Sequence, residues 1–142
     1  MLAAEKDGEE LKMITVPKSH ELMLPILIFA REKQTTFNVR WTYKFLINDL
    51  DLSKDIFDVK LKNGSSKFDS NVRWAINDLY NAKLLKRVDR GYYKITDRGL
   101  DVLEENHKKI DRKYLMRFRE FREYMAREYK KDYVLHGQTK LF

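Results

Sequence analysis

The chain has no cysteine, so neither a disulfide nor a thiolate metal site can hold its fold together. No apolar run approaches the ~18 residues needed to cross a bilayer. The longest, Leu22 to Ala30, is interrupted by Pro25 and reads as a buried helix. The start, MLAAEKDGEELKM, is acidic and lacks an apolar stretch, so it is not a secretory signal. Internal repeats and low-complexity tracts are missing too. His20, His107 and His136 are scattered, without the close spacing of a zinc site. The expectations are a cytoplasmic location, no membrane partner, no metal and no cofactor.

What is there suffices for one compact domain. Of 142 residues, 43% are hydrophobic and 13% aromatic, enough for a real core. The net charge is +7, and its placement is uneven. Residues 1–66 carry 10 basic and 10 acidic groups, residues 67–98 carry 8 and 4, and residues 99–142 carry 11 and 8. All the excess lies in the second half, where a local positive field would concentrate polyanions such as nucleic acid.

Along the chain, residues 1–12 read as a mobile leader. A helix entered at Ser19 follows, with Leu22, Ile26 and Phe29 on one face and Pro25 in its first turn or two. QTTFN is short and β-leaning. Thr36 or Asn38 is placed to cap a second helix, in which Val39, Tyr43, Leu46 and Leu50 recur at helical spacing. A short helix from Ser53 and a loop at Asn63-Gly64-Ser65-Ser66 come next. Ser66 with Asp69 makes a capping-box pattern for a third helix that ends near Lys83, with Phe68, Val72, Ala75, Leu79 and Ala82 as its apolar stripe. Leu84 to Val88 and Tyr92 to Thr96 form a hairpin around Asp89-Arg90-Gly91. Asp97 is the expected cap of another helix, and a long basic amphipathic helix is expected from His107 onward.

Helix, helix, helix, hairpin is the order of a winged helix-turn-helix domain, mainly α with a small β-hairpin, here over residues 13–106. The third helix would be the recognition helix and the hairpin the wing. Opposite the apolar stripe stand Ser70, Arg73, Asn77 and Asn81, flanked by Lys67, Trp74 and Tyr80. Arginine can pair bidentately with guanine, and asparagine with adenine, in a major groove. Serine and lysine suit phosphates. The hairpin adds Arg87, Arg90, Tyr92 and Lys94 for the backbone or the adjacent minor groove. Polar outer faces are general, and hairpin tips face water. The joint occurrence favours double-stranded DNA as the partner. Trp74, at the edge of the stripe, is expected to be partly buried, and Glu104-Glu105 to be a solvated helix end.

Two stretches, VPKSHELMLPIL and SKFDSNVRWAINDLYNAKLLKRVDRGYYKITDRG, resemble the N-terminal domain of Mrr-type restriction proteins, bacterial defence endonucleases that act on modified DNA. The resemblance spans about residues 14–105. Its most specific part runs from Asn71-Val72-Arg73-Trp74-Ala75 through Leu79, Ala82-Lys83-Leu84-Leu85 and Arg90-Gly91 to Ile95-Thr96 and Gly99. It implies a winged helix that binds DNA ahead of a separate nuclease domain. Nuclease domains of that family carry an acidic residue on one strand and Gln-x-Lys on the next. Gln138-Thr139-Lys140 matches the latter in form, but too few residues follow the winged helix to build the surrounding core. No catalytic site and no small-molecule substrate are expected.

In residues 107–142, Ile110, Tyr114, Phe118, Phe121, Met125 and Tyr129 recur near 3.5-residue spacing among many cations. Such a stripe needs burial: folded back on the domain, against a second copy, or in a further domain. A homodimer is the favoured expectation, because paired winged helices read two half-sites. A protein-interaction adaptor and a fragment of a larger nuclease are the alternatives to a DNA-binding module.

Overall fold

The computed structural model describes residues 14–135. The leader and the Gln138-Thr139-Lys140 motif lie outside them. Helix α1 (Ser19–Lys33) begins where expected: the Glu21 carboxylate accepts the Lys18 N–H at 2.8 Å. Leu22, Met23, Ile26, Leu27 and Ala30 are fully buried, making α1 the central helix of the core. Pro25 falls in the second turn and the helix runs on through it. Gln34 ends it in the left-handed conformation, φ 61°.

A short strand, β1 (Phe37–Asn38), leads into α2 (Val39–Asp49), and Asn38 is the cap, its side chain accepting the Trp41 N–H at 3.1 Å. The connection over residues 50–66 is longer than the few-residue turn of simple helix-turn-helix motifs. It holds a 3₁₀ turn (Ile56–Asp58) and an isolated bridge between Lys60 and Ser66. Phe57 from that turn packs with Tyr43 and Phe68, ring centroids 5.0 and 5.3 Å away, and so ties the connection to the core.

Helix α3 (Lys67–Asn81) is capped by Ser66, whose hydroxyl accepts the Asp69 N–H at 3.1 Å. All five residues of the expected stripe are fully buried, and Ile76 joins them. Lys83, at φ 66°, turns the chain into β2 (Leu85–Asp89) and β3 (Tyr92–Ile95). The sheet is antiparallel in the order β1-β3-β2. Helix α4 (Asp97–Glu104) is capped by Thr96 instead of Asp97: the Thr96 hydroxyl accepts the Gly99 N–H at 3.0 Å and donates to the Lys83 carbonyl at 2.6 Å. A Cβ on Gly99 would lie 2.4 Å from the Leu84 carbonyl oxygen, so only glycine lets α4 sit this close to the hairpin base. The molecule is mainly α-helical with a small three-stranded antiparallel sheet and a C-terminal helix, an arrangement consistent with the expected winged helix-turn-helix.

The C-terminal segment departs from the expectation of one long helix starting at His107. Asn106 (φ 56°) breaks the chain, a single-turn helix α5 (Arg112–Leu115) follows, and α6 begins only at Arg119 (Arg119–Leu135). The cause is burial. Ile110, Leu115 and Phe121 are fully buried in the domain's own core, which a straight helix could not achieve. The stripe that motivated a homodimer is thus largely covered within one chain. Glu105 is not merely solvated. It accepts from the Tyr114 hydroxyl at 3.0 Å, lies 2.5 Å from the His107 ring and pairs with Arg117. The His107 hydrogen bond, then Tyr114's, hold its carboxyl below the ordinary value. Among the described residues no helix is long and apolar enough to cross a membrane.

Candidate nucleic-acid interface

With its apolar stripe buried, α3 must turn the opposite side outward. Asp69, fixed in the first turn, organises that side. It accepts a hydrogen bond from the Tyr43 hydroxyl and holds the Arg73 Nε at 3.0 Å. Arg73 is therefore aimed by a carboxylate anchored from the core, while its side chain stays 60% exposed. An exposed pair of this kind contributes little to stability, so the guanidinium can be transferred to a stronger anion at small cost.

Arg73 lines two adjoining grooves. One runs between α3 and the sheet, bounded by Ser70, Trp74 and Asn77 on the helix and Tyr93 on β3. The other runs to the hairpin tip, bounded by Asn38, Arg40, Gly91 and Tyr92. The outer side of α3 and the tip of the hairpin are thereby one continuous surface. Trp74 stands half exposed on it.

The hairpin is shaped by its sequence. A bulge separates Arg87 from Asp89, Gly91 takes φ 79°, and Asp89 accepts the Arg90 N–H at 2.7 Å, so this acid shapes the turn. Arg90 is left exposed at the tip. The Arg87 guanidinium is drawn over the rings of Tyr80 and Tyr93, 5.3 and 6.0 Å from their centroids.

Not every expected residue joins this surface. Lys67, exposed at the start of α3, lines neither groove but lies on the same side of the helix as Ser70. Lys94 pairs with Lys86 across the hairpin, on the sheet face opposite Arg87 and Tyr93. The Asn77 side chain donates to the Tyr124 hydroxyl at 2.9 Å, and that of Asn81 donates to the Asn77 carbonyl at 2.8 Å. Both amides are engaged within the chain.

Sequence reasoning missed two groups of residues. Arg40 and Trp41 stand exposed in the first turn of α2, with Trp41 edge-on to Tyr92 at 6.1 Å and the Lys33 ammonium 5.4 Å from its ring. The signal was available: Asn38 as cap puts both residues in the first turn, off the stripe of Val39 and Leu46. Asp78 was the other omission. It is fully buried on α3 and grips Arg112 through two hydrogen bonds of 2.8 and 3.2 Å. Burial pushes its carboxyl upward, and Arg112 opposes that shift. No sequence period announces a partner 34 positions away.

Among the described residues no three His, Asp or Glu side chains converge to hold a metal ion. No curated protein and no solved structure matches the chain. A profile of the Mrr N-terminal domain matches residues 20–105, more than half of the 142. The matched region runs from the first turn of α1 to the end of α4, so it contains α3, the hairpin and both grooves. The chain belongs to the Mrr N-terminal domain family.

Proposed function

We propose that this chain is a double-stranded-DNA-binding module of a restriction-type system and has no catalytic chemistry of its own. The observation that carries the reading is Arg73, exposed on α3 and shared by two grooves that lead to the wing tip. A helix with its side chains is about 10–12 Å across, and the major groove of B-DNA is about 12 Å wide. With α3 in that groove, Arg73 faces base edges, and Ser70 and Lys67 face phosphates. Arg87, Arg90 and Tyr92 of the wing, with Arg40 beside them, meet the backbone or the adjacent minor groove, while Lys94, on the sheet face opposite Arg87, is left out of the contact. Asn77, whose amide is held by the Tyr124 hydroxyl, is left out of the base contacts. In a restriction-type system such a module would place a nuclease activity on its substrate.

An electrophoretic shift with plain and cytosine-methylated duplexes at two salt concentrations tests this. Retarded duplex, less so at the higher salt, is the expected result. Free migration of both duplexes at both concentrations would overturn it.

A protein-interaction adaptor is the second reading. It is favoured by the internal engagement of Asn77 and by the exposure of Trp41 and Trp74, since half-open tryptophans suit protein hot spots. It requires that Arg73→Ala and Arg90→Ala leave DNA retention unchanged.

A further inference from the structure

Trp74 borders a groove on each side of α3. The first leads to the wing. The second lies on the opposite flank, where Ser19 and His20 of α1 face Lys109, Asp111 and Lys113 from the chain around α5. Residues 109–113 fall beyond the matched family region, which stops at 105. They are nonetheless tied to the family domain, because Arg112, between the lysines, grips the buried Asp78 one turn after Trp74 on α3. The position of this wall relative to Arg73 is set by α3 itself.

Its charge is positive. The Lys109 side chain is 78% exposed and Lys113 is exposed as well. Asp111 is the one carboxylate lining the groove; it caps α5 by accepting the Tyr114 N–H at 2.9 Å and sits 3.8 Å from Lys109. Arg112 is paired with Asp78, and the two lysines outweigh Asp111 on their own.

A helix seated in a major groove has one phosphate strand on either side. The wing accounts for one of them. We propose that the segment after the family domain is the second wall of a DNA cleft: Lys109 and Lys113, facing the first turn of α1, contact phosphates on the strand opposite the one held by the wing. This inference rests on the DNA-binding reading and extends it to a part of the chain the family does not cover.

The test is the full chain carrying Lys109→Gln and Lys113→Gln together. Both side chains are exposed, so the melting temperature should stay at the wild-type value. Affinity for duplex DNA is measured over a salt series, with phosphate-ethylation interference on each strand. Each phosphate that the protein ceases to neutralise flattens the log–log salt slope by about 0.9, so the double variant should be shallower by about 1.8. Interference should vanish on one strand only, and Arg90→Gln should remove it from the other. A double variant with the wild-type slope and interference pattern would overturn the second wall while leaving the wing's role standing. A wild-type protein with no salt slope would instead defeat the DNA-binding reading, and the second wall with it.

Discussion

The two halves of α3 share one buried stripe and differ completely on the other side. From Lys67 to Trp74 the outer side is open: Arg73 reaches solvent and Trp74 is half exposed. From Asn77 to Ala82 it is engaged by α4 and the chain's own C-terminal segment. Tyr124 takes the Asn77 amide, Arg112 takes Asp78, and Arg98 binds the Ala82 carbonyl at 3.0 Å while gripping Glu120 through a fork of 3.0 and 3.4 Å. An amphipathic pattern names the side that is buried in the core. It does not say what covers the side that remains, and only the first half of α3 is left to a partner.

Removing the clamp on the closed half should have the largest effect. Arg112→Ala leaves the Asp78 carboxylate buried without its partner, a loss of about 3 kcal/mol in urea unfolding. Burial already raises the Asp78 pKa, and Arg112 works against that rise. Without Arg112 the folded pKa climbs further. A group raised on folding contributes stability below its ordinary pKa and loses that contribution as pH rises through the folded value. The deficit of the variant should therefore shrink toward acid and be greatest near neutrality. A deficit that does not change with pH would mean that Asp78 is not the cause.

Arg73→Ala probes the open half. Removal of a bidentate pairing with a base should weaken duplex binding by about 1–3 kcal/mol, roughly 5- to 150-fold. Its melting temperature should barely move, because the Asp69 pair is largely exposed. Tyr124→Phe sharpens the border between the halves. It deprives Asn77 of its partner and should cost about 1 kcal/mol of stability, with DNA affinity unchanged. Altered affinity in either direction would move Asn77 into the interface.

The smallest effect concerns Glu120, whose carboxyl the Arg98 hydrogen bond, chiefly, holds below its ordinary value of 4.5. Its contribution is present above that value and is lost as pH falls through the lowered pKa. In amide exchange, α6 should loosen in acid in the wild type, and Glu120→Gln should lessen that acid dependence. Equal pH dependence in the two proteins would contradict the assignment.

Much of the fold was legible because it follows local rules. Ser66 and Asn38 cap as their positions demand, the stripe of α3 is buried as its spacing requires, and Gly91 takes the left-handed turn. The cap of α4 was misplaced by one residue because Thr96 and Asp97 are both good caps, and only Thr96 also reaches the Lys83 carbonyl. The C-terminal segment was misread for a deeper reason. Its apolar spacing does suit one long helix. The competing force is burial of Ile110, Leu115 and Phe121 on distant partners, which no local period encodes. The outward position of Arg73 was legible from its place opposite the stripe. Arg40 and Trp41 lie within the loosely patterned stretch before α3, and their neighbourhood with the wing exists only in three dimensions.

The open half of α3 and the wing should present one surface to duplex DNA, and the chain's own fluorescence can report on both ends of it. There are two tryptophans, Trp41 against Tyr92 and Trp74 beside Arg73, and they flank that surface. Duplex titrated into Trp41→Phe and Trp74→Phe separately reads each indole alone. A single shared surface predicts a saturable change in emission from both, with one common affinity that weakens as salt rises. Emission from either indole that stays constant in excess duplex at low salt would contradict it.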